Sequence, residues 1–396
     1  MISVTEAKEI IQNNITALEP VTLQLKEAAG KVLGEDVYAA FDIPAFPQSA
    51  MDGYAFAFDE WQQQQSLKVE GKLPAGTNEM MQIKTGQAVR IFTGAPVPKG
   101  ADTVVMQEKV KLKFKEGLLI IEDDKLKSGG NVRPEGSEIK AGELALENGS
   151  LLTAAAIGFL AGIGIEQVTV YPDPVVSIIV TGKELQQPGT MLKYGQVYES
   201  NSFSLSAALE KTNINAVKIY YSDDEPELLT AILKNALGQS DMVLLTGGVS
   251  AGDYDFVLQA AERCDVKKLF HKVKQRPGKP LFFGGKEKKP VFGLPGNPSS
   301  VLTCFYEYVL PAIELLSKRP LQLQLLNVPL EKSIIKTHAL THYLKGYYNG
   351  KTVKSLDAQE SYRLSSFAKA NCLIKINEEI SECKEGELAE IHLLPV

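Results

Sequence analysis

Residues 175–182 are VVSIIVTG, an apolar and largely β-branched run that ends in a threonine and a glycine. Two similar runs follow it, AVKIYYS at 216–222 and DMVLLTGG at 241–248, and helical patterns separate the three. Continuous apolar strands that alternate with helices form parallel sheets covered on both faces. Residues 174–319 are therefore predicted to form an α/β domain around a parallel sheet.

The chain on either side of this domain has other patterns. Residues 3–19 have the spacing of an amphipathic helix, which Ser3 and Glu6 are placed to cap. Short β-like runs between glycines and prolines predict a β-rich module, and an apolar helix at 151–164 returns the chain to its first region. The predicted domains are 1–43 with 148–173 (discontinuous), an inserted β-rich domain at 44–147, the α/β domain at 174–319 and a β-rich domain at 320–396.

Composition excludes several classes of protein. The net charge of −6 offers no basic face to a nucleic acid. The four cysteines form no CxxC pair, and with four histidines they give no zinc-ligand spacing. The first residues have no signal-peptide pattern, and the apolar runs are interrupted short of a membrane span. We expect a cytoplasmic protein that binds neither nucleic acid nor membrane.

Three strand ends of the α/β domain run into small polar turns: VTGKEL at 180–185, LTGGVSAGDYD at 245–255 and GLPGNPSS at 293–300. Ligands bind at the carboxyl ends of strands in open α/β sheets, where helix N-termini also offer N–H groups to anions. Asn297 is placed to cap a helix that begins at Pro298. None of the turns is a Walker A or GxGxxG loop. Together they predict an anion or nucleotide site.

Carboxylates and cations crowd the same sheet edge. Carboxylates repel phosphates unless a hard cation lies between them, so this mixture indicates Mg²⁺. Asp253 is interpreted as a helix cap and not as a functional carboxylate. The segment KVKQRPGKPLFFG supplies cations beside a proline–glycine turn, although an ordinary basic turn is the alternative interpretation. Glu184, Asp223, Asp224, Asp253 and Asp255 lie at this edge; the candidate functional carboxylates among them are Asp224 and Asp255, and the candidate cations are Lys272, Arg276 and Lys279.

A set of motifs in one order resembles the MoeA and gephyrin E-domain family of molybdopterin molybdenumtransferases. The motifs are SAMDGYA (49–55), IFTGAPVPKGADTVVMQE (91–108), GGNVRPEGSEI (129–139), TGKEL (181–185), TGGVSAGDYDF (246–256), RPGKP (276–280) and GLPGNPSS (293–300). The resemblance implies an elongated first domain interrupted by the β-rich domain, a molybdopterin-binding α/β domain and a C-terminal β-barrel. It also implies a homodimer whose clefts are shared between subunits.

The resemblance further implies roles for individual residues. Asp52 and Thr93 are expected in the cleft across the dimer, and Asp224 and Asp255 are expected to hold Mg²⁺. The expected catalytic set is Asp52, Thr93, Glu184, Asp224 and Asp255. The expected substrate-binding set is Gly247, Gly248, Ser250, Lys272, Arg276, Lys279, Pro295, Pro298 and Ser365. Two departures stand out, because Lys183 replaces a usual Asp and Arg276 replaces a common Lys.

The implied reaction converts adenylyl-molybdopterin and molybdate into molybdenum cofactor and AMP. A molybdopterin adenylyltransferase, which is a possible partner, is one alternative function, but it leaves residues 1–174 and 320–396 unexplained. A non-catalytic, gephyrin-like scaffold is another, against which the acidic residues at 52, 184, 224 and 255 argue. Tungstate in place of molybdate stays open, since the two oxyanions are nearly equal in size.

Overall fold

The computed structural model describes residues 1–113, 115–223, 225–248 and 256–395. The chain forms two compact units. The first unit comprises Met1–Val21 and Val170–Val396, and the second comprises Thr22–Thr169. The N-terminal 21 residues thus belong to one unit with the α/β region, whereas the sequence grouped them with residues 22–43.

The first unit contains the predicted α/β region and the C-terminal region. Its helices are Val4–Asn14, Asn201–Lys211, Pro226–Gln239, Phe256–Arg263, Pro298–Cys304 and Leu310–Leu316, with a π-helical Phe305–Val309 and a 3-10 turn at Phe367–Lys369. Its strands are Val176–Thr181, Leu185–Gln186, Val197–Tyr198, Val217–Ser222, Met242–Thr246, Lys267–His271, Gln275–Arg276, Phe282–Lys286, Lys289–Leu294, Gln324–Pro329, Ile334–Ile335, Thr341–Tyr348, Val353–Ser355, Cys372–Ile376, Glu382–Cys383 and Leu388–Leu393.

The main sheet has six strands. Alternate residues of its strands enter different cores: Ile178 and Val180 join one buried cluster, and Ile179 joins another. The first four strands in the sheet order are parallel, as predicted. The order is Val217–Ser222, Val176–Thr181, Met242–Thr246, Lys289–Leu294, Phe282–Lys286 and Lys267–His271.

The sheet is mixed, which corrects the prediction of a parallel sheet. Phe282–Lys286 pairs antiparallel with Lys289–Leu294, and Lys267–His271 pairs antiparallel with Phe282–Lys286. Only two residues connect the first pair, and such a short connection joins antiparallel strands only. Glu287 in this turn has a φ of 55°, the left-handed conformation that a tight hairpin turn needs.

The strand Val217–Ser222 also differs from expectation. It lies at the edge of the sheet, and its Ile219 and Tyr221 are exposed. The sequence pattern of this strand predicted cover on both faces. An edge strand has only one neighbouring strand, so an apolar residue in it does not predict a buried side chain as it does in a central strand.

The N-terminal helix Val4–Asn14 packs into the core of the first unit. Ser3 and Glu6 form the predicted capping box, with Ser3 Oγ accepting from Glu6 N–H and the Glu6 carboxylate accepting from Ser3 N–H. The apolar face of the helix, with Ala7 and Ile11, is buried in the same cluster as the α/β sheet. This burial explains why the helix belongs to the first unit.

The C-terminal strands form a second sheet. Leu330 bridges to Val353, whose strand pairs with Thr341–Tyr348, so the backbone pairing runs round a closed circuit. The order of the other strands is Gln275–Arg276, Thr341–Tyr348, Cys372–Ile376, Leu388–Leu393 and Gln324–Pro329. The first of these strands carries part of the RPGKP motif, which ties that motif to the C-terminal sheet.

The helical run 298–316 has the length and apolar composition to cross a membrane, and it is the one such helix in the described part of the chain. This corrects the expectation that apolar runs fall short of a membrane span. However, 83% of the relevant window is buried inside the protein. An all-round apolar helix with this burial is a core helix.

The second unit is β-rich and also contains two helices, Phe58–Gln64 and Ala154–Gly162, and 3-10 turns at Leu25–Glu27 and Gln107–Lys109. The helix Phe58–Gln64 was not predicted. The strands of the second unit are Val21–Gln24, Val32–Leu33, Val37–Tyr38, Gln48–Ser49, Gly53–Phe56, Leu67–Leu73, Gln87–Ile91, Thr103–Met106, Val110–Lys113, Leu118–Ile121, Val132–Arg133, Leu144–Leu146 and Gln167–Tyr171.

Close packing explains the glycine of the SAMDGYA motif. Gly53 begins a strand that lies between Gln87–Ile91 and Thr103–Met106 in a six-stranded sheet. A Cβ added to Gly53 would lie 1.9 Å from the carbonyl oxygen of Val105. Because that atom belongs to the backbone of the neighbouring strand, no side-chain movement relieves the overlap.

We expect Gly53→Ala to lower the free energy of unfolding by about 3 kcal/mol, because the added methyl forces two paired strands apart. The matched control is Gly158→Ala in the helix Ala154–Gly162, where an added Cβ meets no atom within 4 Å. That change should stabilise the protein by about 0.5–1 kcal/mol. Urea unfolding midpoints test both, and an unchanged midpoint in Gly53→Ala contradicts the packing argument.

Candidate functional site

Three strand ends of the main sheet meet at one edge, as the sequence predicted. Thr246 lies in register with Val180 on one side and with Leu294 on the other. The turns that follow are in close contact, since a Cβ added to Gly296 would lie 3.8 Å from the Cα of Gly247. The strand ends therefore form a continuous floor.

The antiparallel hairpin brings the RPGKP turn to this same edge. Phe282 lies opposite both His271 and Gly293, so residues 272–281 leave the sheet where Lys289–Leu294 ends. Within this connection, Arg276 and Lys279 are exposed, and Gln275 and Gly278 are buried. The mixed topology thus delivers two cations to the carboxyl ends of the parallel strands.

A cleft of about 1030 Å³ opens over these turns. Its walls come from the strand-end turns, from the segment before the helix Asn201–Lys211 and from two loops of the C-terminal region. The lining residues are Glu184, Leu185, Val197, Tyr198, Glu199, Ser200, Asn201, Gln275, Arg276, Pro277, Gly278, Lys279, Pro280, Pro295, Gly296, Asn297, Pro298, Ser300, His338, Leu340, Gln359, Glu360, Ser361 and Tyr362.

The wall beside the helix Asn201–Lys211 is held by polar contacts. The Glu199 carboxylate, which is buried, accepts from Ser202 N–H at 2.8 Å and from its hydroxyl at 2.5 Å. Asn201 Nδ2 donates to the Gly296 carbonyl at 2.9 Å and so ties this wall to the GLPGN turn. Within the described residues, the buried Asn201 Oδ1 has no hydrogen-bond partner. It is an acceptor available beside the cleft.

The GLPGNPSS turn begins a helix at Pro298, as predicted, but Asn297 does not cap it through its side chain. Asn297 Nδ2 instead donates to Ser361 Oγ at 2.8 Å, and Ser299 N–H donates to the Ser361 carbonyl at 3.1 Å. The asparagine therefore links the α/β region to a C-terminal loop.

The cleft holds both signs of charge. Arg276 and Lys279 form no salt bridge with any described residue, and Glu184 is exposed beside Gly182. Behind them, burial and the positive charges of Lys336 and Arg276 lower the pKa of His342 to about 4. His342 is consequently neutral at neutral pH and adds no charge to the cationic side.

A second group of predicted residues meets in the second unit. Asp52 Oδ1 accepts from the Thr93 N–H at 2.8 Å and from the Thr93 hydroxyl at 2.7 Å. These two bonds, together with the charge of Arg90, hold the pKa of Asp52 below its ordinary value. Arg90 is fixed by a bond to the Gly53 carbonyl at 2.8 Å and lies over the Tyr54 ring. The Asp52 carboxylate is thus held in position and kept ionised by its neighbours.

Comparisons with known proteins agree along the whole chain. Residues 2–164 match the model described as "MoeA N-terminal region (domain I and II)", residues 177–315 match "Probable molybdopterin binding domain" and residues 327–394 match "MoeA C-terminal region (domain IV)". A molybdopterin molybdenumtransferase of Haemophilus influenzae is 35% identical over 94% of each chain. The chain belongs to the molybdopterin molybdenumtransferase family.

Further relatives agree with this family assignment. Molybdopterin molybdenumtransferase 2 of Mycobacterium tuberculosis is 32% identical over 99% of each chain. The crystal structure of a molybdopterin biosynthesis MoeA protein from Pyrococcus horikoshii superposes with a TM-score of 0.84 at 27% identity, covering 100% of this chain and 99% of that one. The chain has the multidomain fold of this family, with its molybdopterin-binding domain and its C-terminal domain.

The structure gathers only some of the residues that the family resemblance suggested. Gly247 and Gly248 lie in the adjoining turn, where Gly247 contacts the cleft residue Gly296. Lys272 and Ser365 are not among the lining residues. Lys272 lies before the turn, with its backbone bonded to Ile2 and Leu281. Those that line the cleft are Glu184, Arg276, Lys279, Pro295 and Pro298.

Three predicted site residues, Asp224, Ser250 and Asp255, lie outside the described residues, as does the predicted cap Asp253. Sequence reasoning in turn missed Glu199, Asn201 and His338 as lining residues. The sequence YESNS at 198–202 carried a signal for a helix start near Asn201, because serine and asparagine are typical N-cap residues, but it did not indicate a cleft. His338 carried no comparable signal.

We expect Thr93→Val to raise the pKa of Asp52 toward the ordinary value of about 3.9, because the variant loses the hydroxyl donor to Oδ1. Thr93→Ser, which keeps the hydroxyl, is the matched control. A carboxyl group with a lowered folded-state pKa stabilises the protein above its unfolded pKa, and this contribution is lost as the pH falls. Carboxyl ¹³C NMR titration measures the pKa, and equal values in both variants disprove the role of the hydroxyl.

Proposed function

We propose that this chain inserts molybdenum into adenylyl-molybdopterin, using molybdate and releasing AMP. The observation that carries the proposal is the cleft of the first unit, where Glu184, Arg276 and Lys279 line one space at the strand ends. Membership of a family whose relatives are named molybdopterin molybdenumtransferase supports the assignment.

Arg276 and Lys279 are the proposed oxyanion ligands. Both are exposed on one short turn, separated by Pro277 and Gly278. A guanidinium group offers two parallel N–H donors to an oxyanion, and an ammonium group adds a compact charge. We assign the pair to molybdate or to the phosphate oxygens of the substrate.

The reaction exchanges ligands at molybdenum and breaks a phosphoanhydride. Two dithiolene sulfurs replace two oxo ligands, which leave as water after taking up protons, while a water oxygen adds to phosphorus and AMP departs. Glu184 and Asp255 are the candidate general bases for that water. Pro295 and Pro298 give the cleft a stiff wall, and restricting the motion of a bound substrate favours reaction.

We also propose Mg²⁺ as the cofactor. The described residues alone do not supply its ligand set, because no group of three or more His, Cys, Asp or Glu side chains within 1–113, 115–223, 225–248 and 256–395 suits a metal ion. The proposed ligands are Asp224 and Asp255. Mg²⁺ bound there would neutralise phosphate charge, as hard oxygen ligands and phosphates together allow.

Oligomeric state and location are further parts of the proposal. In a homodimer, the hydrogen-bonded Asp52–Thr93 pair of one subunit would join the cleft of the other subunit. We propose the four-domain division with a C-terminal barrel, a cytoplasmic location without nucleic-acid or membrane contact, and the molybdopterin adenylyltransferase as the partner that supplies substrate. The closed pairing circuit of the C-terminal strands supports the barrel.

The purified chain should release AMP from adenylyl-molybdopterin only when molybdate is present, and chelation of Mg²⁺ should suppress the release. We expect Glu184→Gln to lower the rate about 100-fold through loss of a base. Glu210→Gln, an exposed glutamate on the helix Asn201–Lys211, should leave the rate unchanged.

Other results would redirect the assignment. Consumption of ATP with bare molybdopterin favours an adenylyltransferase. Failure of the purified chain to release AMP favours a non-catalytic scaffold. A wild-type rate in Glu184→Gln removes that residue from the mechanism.

Oxyanion binding tests the two cations directly. We expect Arg276→Met and Lys279→Met each to weaken tungstate binding about tenfold, because hydrogen bonds to charged groups contribute about 1.5–3 kcal/mol. Lys384→Met, which removes an exposed lysine of the C-terminal region, is the control. Isothermal titration calorimetry gives the dissociation constants, and equal constants in all three variants contradict the assignment.

A further inference from the structure

A buried amide lies directly beneath the RPGKP turn. The Gln275 side chain is fully buried, and its Nε2 donates to the Gly278 carbonyl at 3.1 Å. Its Oε1 accepts from the Tyr308 hydroxyl. One side chain thus spans the turn that carries Arg276 and Lys279 and joins it to the helical run 298–316.

The turn is packed against that helical run without spare room. Gly278 has a φ of 86°, and a Cβ added to it would lie 2.5 Å from Cys304 Sγ and 2.7 Å from Gln275 Nε2. Only glycine combines this backbone conformation with so close an approach. The backbone of the turn is therefore pressed onto Cys304 and onto the amide.

The hydrogen-bonding roles at this amide are fixed by its neighbours. Tyr308 lies in the π-helical segment Phe305–Val309, and such segments are frequent at functional sites. Burial raises the pKa of Tyr308 well above its ordinary value, so the hydroxyl keeps its proton. The hydroxyl donates to Oε1, which leaves Nε2 to donate to the turn.

The backbone on both sides of the turn is also fixed. Val273 N–H donates to the Lys279 carbonyl at 2.9 Å, and Gln275 and Arg276 pair with the C-terminal strand at Thr341 and His342. Backbone pairing sets the ends of the turn, and two side chains hold its interior, where the Gly278 carbonyl accepts from Gln275 Nε2 at 3.1 Å and from Cys304 Sγ at 3.8 Å.

We infer that Gln275, held by Tyr308, is a positioning residue that fixes the approach of Arg276 and Lys279 to a bound oxyanion. The inference rests on the proposed use of these cations. A preorganised pair of cations binds an anion more tightly than a mobile pair, because less freedom is lost on binding. The amide therefore acts on affinity without touching the ligand.

The test compares two buried polar groups of one domain. Gln275→Met keeps the size of the side chain and removes the amide. Ser177→Ala removes a buried hydroxyl that bonds to Ser240 within the same α/β region. Both variants should lower the unfolding midpoint, but only Gln275→Met should weaken tungstate binding, by about tenfold, and raise the KM for molybdate more than it lowers kcat.

Tyr308→Phe keeps the test decisive if Gln275→Met does not fold. This variant removes only the hydroxyl, and we expect a two- to fivefold loss of tungstate affinity. Wild-type affinity in the folded variants, or equal loss in Ser177→Ala, overturns the inference, as does failure of the unaltered chain to bind tungstate. Absence of AMP release by the unaltered chain overturns the proposed function, whereas the tungstate comparison decides the role of Gln275.

Discussion

The parallel register of three strands is the constraint on which the site depends. Val180, Thr246 and Leu294 lie side by side, so the turns that follow them leave the sheet at one edge. Small residues at this edge allow backbone contact between turns, as at Gly247 and Gly296. A shift of one strand by two residues would separate the turns by more than 6 Å and divide the cleft floor.

The antiparallel hairpin adds the cations to this floor. In a wholly parallel sheet, a crossover would follow each strand, and no short basic turn would join two neighbouring strands at the carboxyl edge. Here the strand Phe282–Lys286 runs against its neighbour, so the connection before it emerges at that edge. Arg276 and Lys279 therefore line the same cleft as Glu184.

Uncharged side chains pack beneath the RPGKP turn, which carries the exposed Arg276 and Lys279. The turn rests on Gln275, Tyr308 and Cys304, and His342 behind it is neutral. The buried carboxylate of Glu307, which precedes Tyr308 in the chain, bonds to Lys8 and His392. Within the described residues, neither Arg276 nor Lys279 forms a salt bridge, so the charge of both side chains stays available to a ligand.

The sequence by itself determined the strand–helix alternation, the three strand-end turns, the capping box at Ser3 and the family, because these depend on local patterns and ordered motifs. It did not predict the antiparallel hairpin or the cleft residues Glu199, Asn201 and His338. It also placed Lys272 and Ser365 among the site residues, although neither lines the cleft. Strand direction and cleft composition depend on contacts between segments far apart in the chain, and only tertiary packing decides these.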